Sequence, residues 1–125
     1  MTRFNRMLLV AAGAAAVALG GATNGWADAA GAKKEAQEIF AMRCTPCHGP
    51  SGAGDGPGSA GLTPKPRNFT DPEWQKSVTD AHIENIIKFG GIAVGKSPAM
   101  PSNPDLMAKP EVVTALRELV RSFKK

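Results

Sequence analysis

Apolar residues near the end of the chain recur at helical spacing. Val112, Val113, Leu116, Leu119, Val120 and Phe123 form one continuous stripe, which predicts a helix over Pro110 to Lys124. Proline suits its first turn, and Lys124 and Lys125 suit the negative end of its dipole. A second stripe, Ile83, Ile86 and Ile87, predicts a helix over Thr79 to Phe89. Thr79 is placed to cap it, Asp80 favours its N-terminal dipole, and Gly90-Gly91 ends it. A third pattern, Ala36, Ile39, Phe40 and Arg43-Cys44 opposite Lys33, Lys34, Glu35 and Glu38, predicts a helix over Ala32 to Arg43. The apolar faces of the first and last helices are the natural pair to pack together.

Between these helices the pattern breaks down. Gly49 to Thr63 is dominated by glycine and proline, and no regular element survives that density. With 125 residues, 14 glycines, 10 prolines and no tyrosine, the chain reads as a single small domain. Its helices are joined by long loops around something the polypeptide does not itself supply. The net charge of +4 does not point to nucleic acid, because no lysine and arginine run is interleaved with aromatics.

The N-terminus reads as an address. Arg3 and Arg6 precede an apolar stretch from Met7 to Leu19, followed by the small-residue segment Trp26-Ala27-Asp28-Ala29-Ala30. This is the layout of a secretory signal peptide over residues 1–29, cleaved after Ala27 or Ala29, leaving a domain over 30–125. The apolar stretch is short for a membrane span, so the expectation is periplasmic export with no membrane span in the mature chain. No adjacent arginine pair is present, which favours export of an unfolded chain.

The two cysteines sit in Cys44-Thr45-Pro46-Cys47-His48. A disulfide across so short a loop would constrain little chain. C-x-x-C-H is the sequence of c-type haem attachment. Two sulfurs on one face of a helical turn can reach the vinyl groups of a porphyrin, and the following imidazole can bind iron beneath the ring. A thioredoxin-like pair would also fit C-x-P-C, but it calls for a neighbouring βαβ pattern, and no strand precedes the motif. A zinc site would want four ligands, and Cys44, Cys47, His48 and His82 are an odd set for one.

Candidates for a sixth iron ligand are Met100, Met107, Met42 and His82. Met100 lies in the proline-bracketed loop Ser97-Pro98-Ala99-Met100-Pro101, where stiff backbone can present the sulfur to the far haem face. Met42 precedes the attachment site on the same helix and is poorly placed. Met107 is the runner-up, with core packing as its ordinary alternative. Methionine ligation favours ferrous iron and raises the potential relative to two histidines.

The order of parts (helix, C-x-x-C-H, glycine-rich loop, middle helix, Met-Pro loop, last helix) resembles class I cytochromes c over nearly the whole mature chain. Gly54-Asp55-Gly56-Pro57 and Pro64-Lys65-Pro66-Arg67-Asn68-Phe69 resemble a bacterial subset of that family. The resemblance implies an all-α cytochrome c fold of three to five helices and long loops wrapped around one covalent haem c. It also implies axial His48 and Met100. The proline carbonyl that accepts the proximal histidine's proton in the family matches Pro57, and Trp74 resembles the family's indole near the haem propionates. Arg67 is a candidate for pairing with a propionate, a use its planar donor fork suits. Phe69 and Ile92 are further candidates for the pocket lining.

The implied function is single-electron transfer with redox protein partners, acidic docking surfaces on them being one means of recognition. The chain would then act as a monomer or in a transient complex, without catalysis of its own. Alternatives are a haem subunit of a larger periplasmic dehydrogenase or reductase and an open-site haem enzyme or sensor. Lys33, Lys34, Lys65, Lys88 and Lys96 are candidates for steering an acidic partner.

Overall fold

The computed structural model describes residues 24–125, so most of the 1–29 signal segment lies outside the described residues. All regular elements of the described chain are helical, and no strand occurs among the described residues.

The first helix, α1 (Asn24–Ile39), continues without a break through a π-helical turn (Phe40–Cys44) into the short α2 (Thr45–His48). Ala32, Ala36, Ile39 and Phe40 are buried, one face at helical spacing. The π turn carries one extra residue: the Thr45 N–H reaches back to the Phe40 carbonyl, and the Thr45 hydroxyl donates to the same oxygen at 3.1 Å. Such a bulge rotates everything after it relative to α1. The helix thereby keeps Phe40 in the core while Cys44, Cys47 and His48 turn toward a separate cavity.

The last helix, α5 (Pro110–Ser122), packs against α1 as its stripe predicts, burying Val112, Val113, Ala115, Leu116 and Val120. Its other flank packs against α4 (Asp80–Phe89), which buries Ile83 and Ile87. Arg117 and Arg121 of α5 fasten that contact through Asp80 at 3.1 and 2.7 Å, and Arg117 reaches Glu84 at 3.3 Å. The Thr79 hydroxyl caps α4 by accepting the His82 N–H at 3.1 Å, as expected.

Besides the π turn, four short elements exceed the sequence expectation, two of them 3-10 turns at Pro57–Ser59 and Ile92–Val94. A short helix, α3 (Pro72–Ser77), is capped by Asp71, whose carboxylate accepts the Glu73 N–H at 2.9 Å. A 3-10 turn (Pro104–Ala108) carries Leu106, which is fully buried, into the centre of the core.

Candidate functional site

One side of the fold opens into a cavity of about 550 Å³, a size typical of small-molecule and cofactor sites. Cys44, Cys47 and His48 contribute to its wall from one end of the α1–α2 run, and Met100 and Pro101 contribute from the loop after α4. Leu62, Trp74, Val78 and Ile86 add apolar surface, and Lys65, Arg67, His82 and Lys96 add basic groups.

The cysteines are free and half-buried. Burial pushes the Cys44 thiol up to about 11, with Arg43 partly opposing it. A dithiol oxidoreductase needs a low-pKa attacking thiolate, and Cys44 is the reverse. With no strand among the described residues to form a βαβ unit, the thioredoxin-like alternative rests on the C-x-P-C spacing alone.

His48 is buried, and its Nδ1 donates to the backbone carbonyl of Arg67 at 3.0 Å. A carbonyl only accepts, so the proton sits on Nδ1 and the Nε2 lone pair is left available. Burial lowers the proton affinity of this imidazole, and the Arg67 carbonyl pulls more weakly the other way. The neutral form, which keeps a lone pair free for a metal, is therefore favoured. The ring of Phe69 stacks on His48 with centroids 4.3 Å apart and planes 16° from parallel.

This arrangement corrects the assignment of Pro57. The Gly54 N–H bonds the His48 carbonyl at 2.8 Å and the Gly56 N–H bonds the Cys47 carbonyl at 3.1 Å, curling the loop back under the attachment turn. Pro57 then starts a 3-10 turn in which its own carbonyl faces the Ala60 N–H. The Pro66–Arg67 backbone passes alongside Gly54 instead. Gly54 has φ +77°, and a Cβ there would stand 2.5 Å from the Pro66 carbonyl oxygen, so only glycine permits the approach. The acceptor for His48 thus comes from the loop's return, nineteen residues after His48.

Met100 stands on the cavity wall, whereas the competing methionines face solvent: Met42 is 69% exposed and Met107 59%. His82 also faces the cavity, from the first turn of α4. The methionine loop is pinned at both ends. Gly91 N–H donates to the Met100 carbonyl at 3.0 Å. Asn103 donates from its backbone to Lys88 at 2.9 Å and from its side chain to Ile87 at 2.8 Å, occupying carbonyls at the end of α4. Arg43, the residue before Cys44, reaches Asn103 at 3.2 Å and both Asp105 oxygens at 3.0 Å, tying the attachment turn to the methionine loop.

Arg67 and Trp74 both line the cavity, with the guanidinium 5.9 Å from the indole centroid. Phe69 is buried behind His48, but Ile92 is 72% exposed and sits away from the cavity wall. Its 3-10 turn (Ile92–Val94) directs the side chain outward. The polar anchors Gln75, Asn103 and Arg121 escaped the sequence reading, because none belongs to a motif.

The donor set fits a covalently held haem. Two free thiols, a buried imidazole and a thioether share one cavity whose wall combines apolar surface with basic groups. The comparisons agree. The sequence profile of the family described as Cytochrome c matches residues 33–124. Among solved structures, the c-type cytochrome KustC0563 superposes with a TM-score of 0.53 at 32% identity, covering 72% of this chain and 98% of that one. No curated protein gave a significant match. With its haem c attachment cysteines at Cys44 and Cys47, this chain belongs to the cytochrome c family and works by haem-based electron transfer.

Proposed function

We propose that the protein is a periplasmic electron carrier whose single haem c is ligated by His48 and Met100. The observation that carries this reading is the convergence of Cys44, Cys47, His48 and Met100 on one cavity, with His48 held in its Nδ1–H tautomer by Arg67. Held by Cys44, Cys47, His48 and Met100, a haem c would supply a one-electron couple.

The chain's own residues set the conditions for that couple. The Arg67 carbonyl fixes the direction of the imidazole and raises its basicity. The pinned 97–103 loop presents a thioether, a soft ligand that favours the ferrous state. Apolar walls from Leu62, Val78 and Ile86 limit water, and so limit solvent reorganisation during transfer. Arg67, with Trp74 beside it, is placed to neutralise a propionate by its planar donor fork. The Arg3/Arg6 and Met7–Leu19 pattern supports export through a cleaved signal peptide. No helix among the described residues is long and apolar enough to cross a membrane.

An optical spectrum tests the reading. The ferric protein is expected to be low-spin, with a methionine–iron charge-transfer band that disappears in Met100→Ala. High-spin ferric iron in the unaltered protein overturns the Met100 assignment. Purification as a stable monomer supports a mobile carrier, whereas obligate co-purification with an enzyme overturns it.

A further inference from the structure

We infer that Gln75 is a positioning residue for the proximal imidazole, acting through the segment Arg67–Phe69. The inference rests on the reading of His48 as the iron ligand. His48 is gripped in two ways by this one short segment: its edge donates to the Arg67 carbonyl at 3.0 Å, and its face stacks on the Phe69 ring at 4.3 Å. One backbone bond and one side-chain bond, both at Phe69, hold the segment itself. The Phe69 N–H donates to the Gly52 carbonyl at 2.7 Å, and the Phe69 carbonyl accepts from Gln75 Nε2 at 2.8 Å.

Gln75 is suited to this work. It is 5% exposed and belongs to α3, the helix capped by Asp71 just after the segment. Its second amide proton goes to the Val120 carbonyl of α5 at 2.9 Å, and its Oε1 accepts from Arg121 at 2.9 Å. Arg121 also donates to the Gln75 and Val78 carbonyls and pairs with Asp80. The amide therefore cannot rotate without breaking charge-assisted bonds, and its orientation is fixed. The result is a relay from α5 through Gln75 to Phe69 and so to the imidazole. It fixes the ring plane and the length of the Nδ1–H···O bond. A shorter bond gives the ligand more imidazolate character, which stabilises the ferric state.

The test uses the haem-loaded protein. In Gln75→Glu and Gln75→Met the two donors to Phe69 and Val120 are lost with little change in side-chain length. The expected result is a rise in reduction potential together with altered hyperfine shifts of the proximal histidine ring protons. Val113→Ala, in the α1–α5 core and away from the relay, is the control: it lowers the melting temperature and leaves both readouts in place. Phe69→Leu keeps the backbone clamp but removes the stacked ring. It is expected to change the same ring shifts, and it keeps the inference testable should the Gln75 variants fail to fold.

The inference is overturned if the variants lose stability while potential and ring shifts stay at their unaltered values. The underlying ligand reading is tested separately. His48→Ala must abolish the hyperfine-shifted histidine signals, and their persistence would reject His48 as ligand whatever the Gln75 variants do.

Discussion

The carbonyl of Arg67 receives the Nδ1 proton of His48, and a glycine makes the contact possible. Gly54 lies at φ +77°, with space for a Cβ closed off by the Pro66 carbonyl at 2.5 Å. Gly54→Ala must either strain its own backbone, at roughly 1–3 kcal/mol, or push the Pro66–Arg67 backbone away. The second response lengthens the histidine bond. The expected outcome is a lower urea midpoint and a higher reduction potential. Potentiometry alongside chemical denaturation separates the two effects.

Replacement of the methionines should divide cleanly by exposure. Met100→Ala is expected to lower the potential on the order of 0.1–0.3 V, inside the ~0.8 V that axial ligands span. It should also let added imidazole or cyanide bind at low concentration. Met42→Ala and Met107→Ala remove solvent-facing side chains and should leave the spectrum and potential intact. A shift in Met107→Ala comparable to that in Met100→Ala would reverse the assignment. His82→Ala should leave the ligand band in place.

The helices with long apolar stripes were legible from sequence because burial of one face dictates the spacing. Val112 to Phe123 and Ile83 to Ile87 behave as their periodicity requires, and Thr79 caps as its position suggests. The attachment motif was legible because its chemistry demands contiguous residues. The acceptor for His48 was not, because its identity depends on where a glycine-rich loop folds back. Pro57 and Arg67 carry identical carbonyls, and only the approach at Gly54 selects between them. The α3 helix was announced by Asp71-Pro72-Glu73, a capping signal with proline at the first position, but its six residues are too few for a periodic stripe. Gln75 could not be singled out, since a buried glutamine shows no pattern until its three partners are in place.

Leu106 and Leu116 are the largest fully buried side chains of the core. Leu106 lies at the junction of the 104–108 turn with α4 and α5. Leu106→Ala is expected to cost about 2–5 kcal/mol in chemical denaturation of the haem-loaded protein, with the ligand band retained under native conditions. A cost below about 1 kcal/mol would mean that the site collapses around the cavity.

The Arg43–Asp105 contact should make part of the stability pH-dependent. The hydrogen bond from Arg43 holds the Asp105 carboxyl below its ordinary value, and the pair is exposed. A depressed folded-state value means the contribution is present above the unfolded carboxylate value of about 3.9 and is lost as pH falls through the folded value. The native protein should therefore melt slightly above Asp105→Asn at pH 7, and the two curves should meet in acid. Added salt should narrow the difference at pH 7, because the pair is screened. A gap that widened in acid would contradict this account.

Charge around the cavity distinguishes the lysines. Of the five steering candidates, Lys65 and Lys96 lie on the cavity wall with Arg67, and no carboxylate lines it. Lys33 and Lys34 lie on the solvent face of α1, and Lys88 sits over the Phe89 ring at 5.4 Å. A field that guides an acidic redox partner to the haem must come mainly from residues at the opening, since screening removes contributions beyond roughly 10 Å at 0.1 M salt. The double change Lys65→Glu/Lys96→Glu is expected to slow second-order electron transfer with an acidic redox protein roughly tenfold at low ionic strength. The same change at Lys33 and Lys34 should slow it far less. Stopped-flow rates across a salt series provide the check: the difference between the two double variants should shrink as salt rises. Equal effects from both pairs would show that net charge, rather than the charge at the opening, governs the encounter.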